Sequence, residues 1–244
     1  TISFAEPYVI DEQLDRDFTM DELNAVIGKL KGNKAPGPDR VTNEFISNAP
    51  EIMKSQLLRI YNEIFEMGEA PTSFKNAILF PLHKKGDTSV ASHFRGLAFM
   101  NTSAKIFMSL LLERLTIWVE SNGILSEAQA GFRPGYSTID NIFCIYNLVK
   151  MREIQKKKTY IMFVDLKAAY DHIQRGALFY KLSQLGISTR FIRIMRSLYD
   201  GTSMAVWSKD GLSEYFDTVC GVKQGCPISP MVFSLFLNDL PDVL

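Results

Sequence analysis

Asp165 is the side chain best placed to do chemistry, because it closes an apolar run and stands where a buried strand would end. The run over 159–164 reads Thr-Tyr-Ile-Met-Phe-Val, and β-branched and aromatic residues of this kind are typical of a core strand. A carboxylate at such a tip either caps the next helix or binds a hard divalent ion such as Mg²⁺. Asp171 is either a second acid or a helix cap, and both alternatives stay open.

A second candidate is the loop over 221–230, which reads Gly-Val-Lys-Gln-Gly-Cys-Pro-Ile-Ser-Pro between a predicted strand and a predicted helix. Gln224 offers both a donor and an acceptor, and Gly225 removes a side chain where a base or a sugar could lie. The alternative is a tight connection with only a structural role.

Four cations form the third candidate group, because they lie on or near predicted turns, where they cannot serve as partners for a helix dipole. They are Lys84, Lys85, Arg95 and Arg133. Phosphate is the natural partner of such residues, since arginine presents a planar fork to two oxygens and lysine a point charge. Solvated surface charge is the alternative for each of them, and it is the interpretation for the lysines over 156–158.

Periodicity and turn residues predict the elements that position these side chains. A capping box of Thr19 and Glu22 opens a helix that runs to about residue 32, and Pro50 begins an amphipathic helix that ends at Gly68. Residues 76–83 and 94–100 predict a two-stranded finger with lysines at its tip. The other predicted elements are a helix from 101 or 102 to about 122, a helix opened by Ser137 and Asp140 that closes in the basic run 150–158, a strand over 159–165, helices over 176–185, 189–199 and 230–240, and a hairpin of 203–208 with 214–220.

The composition is that of a globular protein, with 244 residues, 46% hydrophobic and 22% charged. The 27 basic and 27 acidic residues cancel, which argues against coating nucleic acid by bulk charge but not against a locally basic groove. Three cysteines without zinc-ribbon spacing favour an intracellular, reducing compartment. No apolar run reaches the roughly 18 residues of a membrane span. The sequence begins without Met or a signal peptide, so an excerpt of a longer protein is predicted.

Several short motifs, taken together, resemble the reverse transcriptase of LINE-type (non-LTR) retrotransposons, with group II intron relatives further off. Each motif alone is weak, but their shared order and spacing cover nearly the whole chain. The motifs are Lys34-Ala35-Pro36-Gly37-Pro38-Asp39, Pro81-Leu82-His83-Lys84-Lys85-Gly86-Asp87, Phe94-Arg95-Gly96, Gly131-Phe132-Arg133-Pro134-Gly135-Tyr136-Ser137-Thr138, Phe163-Val164-Asp165-Leu166-Lys167-Ala168-Ala169-Tyr170-Asp171, and Gln224-Gly225-Cys226-Pro227-Ile228-Ser229-Pro230.

The resemblance implies an RNA-directed DNA polymerase that copies an RNA template from a DNA primer with deoxynucleoside triphosphates and two Mg²⁺ ions. In this family the Asp at the position of Asp165 binds both ions, which clamp the attacking 3′-hydroxyl and the leaving pyrophosphate. Leu166 then offers its main-chain carbonyl to the metal. The resemblance also implies that the parent element's protein works inside the cell, in the nucleus and the cytoplasm.

The resemblance further implies a set of residues around the incoming nucleotide. Tyr170 is similar to the family's steric gate, whose ring occupies the space of a ribose 2′-hydroxyl. Lys84 or Lys85 and Arg95 look like the finger residues that hold the triphosphate, where fixed cations stabilise developing charge.

Other motifs imply contacts with the base pair and the template. Gln224 and Gly225 match the loop that packs against the nascent base pair. Lys34 and Arg133 fall in regions that grip the RNA through its backbone. Tyr136 stands where many relatives carry a basic residue, so one template contact differs from the family's pattern.

The sequence departs from the family in its carboxylates. The family carries a further pair in a Tyr/Phe-Ala-Asp-Asp hairpin after the Gln-Gly motif, and this sequence contains no such motif. Asp239 and Asp242 are poor substitutes, because one would lie on a helix and the other follows a proline. Two like ions need several shared anionic ligands, so the chain as given is predicted not to polymerise.

The predicted fold is α+β, with right-hand polymerase fingers, a partial palm whose antiparallel sheet is backed by helices, and no thumb. The predicted divisions are a helical N-terminal extension over 1–75 with a template-contacting loop, fingers and connecting helices over 76–158, and the partial palm over 159–244. A derivative that keeps only nucleic-acid binding or another interaction is the alternative function. A metal hydrolase using Asp165 with His83, His93 or His172 is disfavoured, because the histidines lack ligand spacing.

Overall fold

The computed structural model describes residues 7–243, and for residues 242 and 243 it describes only their place in the last helix. The first six residues of the predicted N-terminal extension lie outside this range. In chain order the elements are α1 (Glu12–Asp15), α2 (Met20–Gly28), α3 (Asn43–Ser47), α4 (Glu51–Met67), α5 (Thr72–Lys75), β1 (Ala77–His83), β2 (Phe94–Phe99), α6 (Thr102–Ser121), α7 (Thr138–Ile154), α8 (Arg175–Gln184), α9 (Thr189–Tyr199), β3 (Ser203–Ser208), β4 (Gly211–Leu212), β5 (Phe216–Asp217), α10 (Ser229–Phe236) and α11 (Leu240–Val243), with a 3₁₀ turn over Ala91–His93 before β2.

The predicted capping box is present at the start of α2. The Thr19 hydroxyl accepts from the Glu22 amide at 3.3 Å, and the Glu22 carboxylate accepts from the Thr19 amide at 2.8 Å. The helix ends at Gly28, earlier than predicted. Pro50 is the cap that precedes α4 rather than its first residue, and Gly68 ends that helix as predicted.

The central helix α6 carries much of the core, and an arginine is buried within it. The Arg114 side chain is 2% exposed, and its Nε donates to Glu22 at 3.0 Å. The same guanidinium donates to the main-chain oxygen of Asp17 at 2.6 Å and lies 4.1 Å from the centre of the Phe18 ring. A buried cation is tolerated when it is paired and hydrogen-bonded in this way, so α1, α2 and α6 share one core.

The sheet is mixed, which corrects the predicted antiparallel palm sheet. The strand order is β2-β1-β3-β4, with β5 also paired to β3. Strands β1 and β2 form the predicted finger as an antiparallel pair with Leu79 opposite Ala98. Strand β3 runs parallel to β1, with Leu79 opposite Val206. A parallel neighbour requires a long crossover, and α6 to α9 supply it between β2 and β3.

The second half of the predicted hairpin is shorter than expected. Strands β4 and β5 each contribute two residues opposite β3. Between them, the Ser213 hydroxyl accepts from the Val206 amide at 2.8 Å, so a side chain replaces part of the backbone ladder. Beyond Asp217 the chain leaves the sheet and passes the Arg175 side chain, which donates to the Thr218 oxygen at 2.6 Å.

The predicted core strand over 159–165 is wrong for the described residues. This segment forms no strand, and the side chains of Tyr160, Met162 and Phe163 are 88%, 76% and 83% exposed. The preceding helix α7 has its predicted capping box at Ser137 but no buried residue. A strand needs a neighbour to complete its hydrogen bonds, and none of β1 to β5 pairs with this segment.

Across residues 7–243, no helix combines the length and the apolar character needed to cross a lipid bilayer.

Candidate functional site

The loop over 221–230, called the Gln224 loop below, is held against the outer edge of β2 by a backbone hydrogen bond. The Ala98 amide donates to the Gln224 main-chain oxygen at 2.8 Å. Gly225 has a φ of +106°, and a Cβ atom at this position would lie 2.9 Å from the Ala98 oxygen. Glycine is therefore required at position 225 for two reasons, its backbone conformation and the close approach of two segments of the chain.

The side chains of Arg95, Gln224 and Asp171 form a chain of hydrogen bonds. Arg95 Nε donates to Gln224 Oε1 at 2.8 Å, and Gln224 Nε2 donates to Asp171 Oδ1 at 3.1 Å. These contacts join the strand β2, the loop after β5 and the turn before α8. The structure thus brings together two of the predicted nucleotide-binding residues and adds an acid.

Tyr170 lies where β2, the loop after β5 and the turn before α8 meet, and this meeting point is called the junction below. Its main-chain oxygen accepts from the Val222 amide at 2.9 Å, and its ring centre lies 4.8 Å from that of Phe233 in α10. Partial burial raises the pKa of the Tyr170 hydroxyl, while the positive charge of Arg95 acts in the opposite direction. The phenol is therefore neutral near pH 7, and the ring is held in place by its contacts with α10.

Asp165 and Leu166 lie on the exposed segment before this junction. The Asp165 side chain is exposed, and Leu166 is 47% exposed. Among residues 7–241, whose side chains the structure describes, no group of three or more His, Cys, Asp and Glu residues is placed to hold a metal ion. Asp165 is thus a single accessible carboxylate, and the nearby Asp171 bonds Gln224. This donor set does not fit a pair of divalent ions, which need several shared anionic ligands.

The predicted triphosphate lysines lie at the tip of the finger, beyond the end of β1. Lys84 and Lys85 are exposed, and the Lys84 amide donates to the His93 oxygen at 2.9 Å. A ring nitrogen of His83 lies 3.0 Å from the Gly86 oxygen, so this histidine helps to hold the turn. His93 similarly contacts the main-chain oxygen of Asp87 at 2.9 Å. These two histidines therefore have structural contacts rather than the metal-ligand role of the disfavoured hydrolase alternative.

Arg133 is engaged within the protein. Its Nε donates to Glu120 at 3.0 Å, its side chain is 7% exposed, and the guanidinium lies 4.3 Å from the centre of the Tyr136 ring. The Tyr136 hydroxyl lies 3.2 Å from a carboxylate oxygen of Glu127. The predicted template contact of Arg133 would therefore have to compete with its ion pair to Glu120, whose side chain is 31% exposed.

Lys34 is exposed at the entry of the loop over 34–39. The far end of that loop is attached to the start of α6, because the Asp39 amide donates to Asn101 Oδ1 at 3.2 Å and Thr102 Oγ1 donates to the Val41 oxygen at 2.6 Å. The lysine is thus presented on a segment with a fixed anchor, while its own ammonium is open to solvent.

Sequence reasoning missed the role of two residues at this site. The sequence leaves Asp171 open between an acid and a helix cap, and it assigns no role to Lys223. Lys223 is 2% exposed, and its Nζ donates to the Lys75 oxygen at 2.6 Å. Burial lowers the pKa of Lys223 to about 8. The available signal was a lysine between Val222 and Gln224 in a loop that approaches other chain segments closely.

The family model of "Reverse transcriptase (RNA-dependent DNA polymerase)" matches residues 82–244. The chain belongs to the reverse transcriptase family. This confirms the resemblance drawn from the motifs, including its placement among LINE-type, non-LTR elements.

Named relatives of this reverse transcriptase domain come from mobile elements. The chain is 25% identical to a probable RNA-directed DNA polymerase from transposon X-element of Drosophila melanogaster, over 90% of the chain and 24% of the relative. It is 27% identical to the RNA-directed DNA polymerase from mobile element jockey of the same organism, over 91% of the chain and 24% of the relative. The domain therefore spans about a quarter of the length of these relatives.

Among solved structures, the domain is similar to a chain of a "Partial Cas6-RT-Cas1--Cas2 complex". The two are 19% identical with a TM-score of 0.47, and the match covers 92% of this chain and 33% of the other.

Proposed function

We propose that this reverse transcriptase domain binds a deoxynucleoside triphosphate between strand β2 and the Gln224 loop, as part of an enzyme that copies RNA into DNA. The observation that carries the proposal is the hydrogen-bonded junction of Arg95 and Gln224, with Tyr170 at the same junction. A guanidinium, an amide and a phenol ring offer a phosphate partner, a polar contact and a flat apolar surface, which together suit a nucleotide.

Within this proposal Tyr170 selects against ribonucleotides. Its ring is held by Phe233 and by the main-chain contact with Val222, so it cannot easily turn aside for a 2′-hydroxyl. A rigid side chain discriminates because the larger substrate must either displace it or lose its own hydrogen bonds. The lysines at the finger tip, Lys84 and Lys85, are proposed to meet the triphosphate from the opposite side, and their exposure supports this.

Gly225 is proposed to lie beneath the nascent base pair, and the exposure of this residue supports the proposal. Lys34 is proposed as a template contact because its ammonium is exposed on an anchored loop. Arg133 is proposed to act on the template in the same way, at the cost of its contact with Glu120. The proposed partners of the whole enzyme are an RNA template and a DNA primer, and its proposed location is the nucleus and the cytoplasm.

Asp165 and the carbonyl of Leu166 are proposed as the ligands that this domain contributes to Mg²⁺. A single accessible carboxylate does not complete a two-ion centre, so the 244-residue chain alone is expected to give no primer extension. The alternative function, a nucleic-acid-binding or interaction module without catalysis, is favoured by the same observation.

Primer extension on an RNA template by a full-length element protein tests the Asp165 proposal. We expect Asp165→Asn to reduce extension by about a thousandfold, because the carboxylate is an obligatory charge at the reacting centre. RNA binding by the variant should stay at the wild-type level. The matched control is Asp210→Asn at the exposed turn between β3 and β4, which should leave both measurements unchanged. Retained extension by Asp165→Asn would refute the proposed role.

Measurements on the wild-type protein distinguish a polymerase from a nucleic-acid-binding or interaction module. If a full-length element protein binds RNA but neither extends a primer nor binds deoxynucleoside triphosphates, the binding-module function is correct.

A further inference from the structure

We propose that Asp171 is a positioning residue for the nucleotide site, which fixes the side-chain amide of Gln224 and, through it, the guanidinium of Arg95. The role rests on the proposed function of this site and adds a residue that the motifs did not assign. Asp171 does not contact Arg95 in the chain of hydrogen bonds, so its effect must pass through Gln224.

The chemistry of the three groups allows only one orientation of the amide. Arginine can only donate, and an ionised carboxylate can only accept. The amide oxygen of Gln224 must therefore face Arg95, and its NH₂ group must face Asp171, as the two distances of 2.8 Å and 3.1 Å require. Without the carboxylate, the amide keeps only its bond to Arg95 and loses the second contact that limits the motion of the Gln224 side chain.

The backbone around Asp171 is fastened to the same loop, which gives the carboxylate a defined place. The Asp171 amide donates to the Ala168 oxygen at 3.0 Å, and the Gly221 amide donates to the Ile173 oxygen at 2.8 Å. Gly221 has a φ of +78°, and a Cβ there would lie 2.9 Å from the main-chain oxygens of Tyr170 and Asp171. The turn over 170–173 and the Gln224 loop are therefore packed backbone against backbone.

The consequence for Arg95 is a guanidinium whose Nε is already engaged. Within the part of the chain whose side chains are described, residues 7–241, no hydrogen-bond or ion-pair partner is found for its two Nη groups, which leaves them for a ligand. A planar fork held at one nitrogen loses less rotational freedom when it meets phosphate oxygens. Asp171 thus favours nucleotide binding without touching the nucleotide.

The first experiment reads the contact directly in the 244-residue chain, from the Arg95 Nε–H resonance in ¹⁵N spectra. Asp171→Ala should shift this resonance and speed its exchange with water, although Asp171 does not bond Arg95. Asp171→Asn retains an oxygen that can accept from Gln224. In this variant the position and the exchange rate of the Arg95 resonance should therefore lie close to those of the wild type. Asp210→Ala is the control and should change nothing. An Arg95 signal that is identical in wild type and Asp171→Ala would overturn the proposal.

The second experiment measures the affinity of the chain for dTTP in the presence of Mg²⁺, as a double-mutant cycle. We expect Asp171→Ala to weaken binding about three- to tenfold, as loss of a charge-assisted hydrogen bond predicts. In a Gln224→Ala background the same substitution should have almost no effect, because the chain is already broken. Full additivity of the two substitutions would overturn the proposed route through Gln224.

The two experiments distinguish failure of the proposed nucleotide site from failure of the positioning role of Asp171. If the wild-type chain does not bind dTTP, the proposed nucleotide site is wrong, and the Arg95 resonance still decides whether Asp171 positions the guanidinium. If the wild-type chain binds dTTP and Asp171→Ala binds equally well, the nucleotide site stands and the positioning role is wrong. A weaker affinity of Asp171→Asn than of Asp171→Ala would also contradict the positioning role, because it would show that an accepting oxygen is not what matters.

Discussion

The Gln224 loop and helix α7 both follow strong sequence signals, yet only the loop is held in place by its surroundings. The loop is joined to β2 through Ala98 and to the turn at Tyr170 by main-chain hydrogen bonds. Helix α7 has no buried residue, and apolar side chains such as Phe143 and Ile154 are 66% and 82% exposed. A local signal can therefore specify an element, whereas its position depends on partners elsewhere in the chain.

The largest expected effect comes from the buried ammonium beneath the loop. Burial lowers the pKa of Lys223 from 10.5 to about 8, so the charged form is disfavoured in the folded protein. Below about pH 8 the group is charged in both states and the folded state bears the full cost. Between pH 8 and about 10.5 the unfolded chain holds the extra proton. The free energy of unfolding should therefore rise by about 3 kcal/mol across this window.

Urea unfolding of wild type and Lys223→Met at a series of pH values measures this contribution. The variant should lack the rise, so the difference between the two curves isolates Lys223 from Cys226, Arg175 and Lys75, the groups that face it. Lys209→Met, at the exposed turn after β3, is the matched control and should keep the wild-type slope. Equal slopes for wild type and Lys223→Met would contradict the prediction.

A smaller effect is expected when the contact between the loop and β2 is broken. Gly225→Ala places a Cβ 2.9 Å from the Ala98 oxygen at a φ of +106°, so we expect a loss of about 2 kcal/mol in the free energy of unfolding. Gly176→Ala, in α8 with open space around its Cα, should be neutral or slightly stabilising. Urea unfolding at pH 7 compares the two, and equal stabilities would show that the loop is not tightly held.

The smallest effect is expected on α7. Ile142→Ala and Phe143→Ala remove side chains that are 65% and 66% exposed, so each should change the free energy of unfolding by less than about 0.5 kcal/mol. The same substitutions should reduce self-association in analytical ultracentrifugation, because exposed apolar residues favour contact between molecules. A loss of 2 kcal/mol or more would mean that α7 is packed in solution and would remove the contrast with the loop.

Local patterns were sufficient for much of the fold. The capping box at Thr19, the alternation and turn residues of the finger, and the long apolar face of α6 predicted elements that the structure contains. Each of these signals acts over a few residues, within one helix turn or one strand pair. The parallel pairing of β1 with β3 was not predictable in the same way, because it joins residues that are more than a hundred positions apart.

The candidate site shows the same difference between local sequence signals and contacts that join distant segments. Residue type and motif single out Asp165, Arg95 and Gln224 as candidates. The partners of Asp171 and Lys223 could not be deduced, because their bonds to Gln224 and to the Lys75 oxygen join segments that are distant in sequence. The strand over 159–165 failed for the opposite reason: its composition suits a sheet, but no described strand lies beside it.

The double use of Glu22 links the beginning of one helix to the interior of another. Its carboxylate accepts hydrogen bonds from both the Thr19 amide and the Arg114 guanidinium. The first turn of α2 therefore cannot fray without leaving the buried Arg114 without its ion-pair partner. End fraying is ordinarily a local event of low free energy. Here it requires the opening of the core, so the amides of Glu22 and Leu23, which donate to Thr19, should exchange with solvent as slowly as those in the middle of α6.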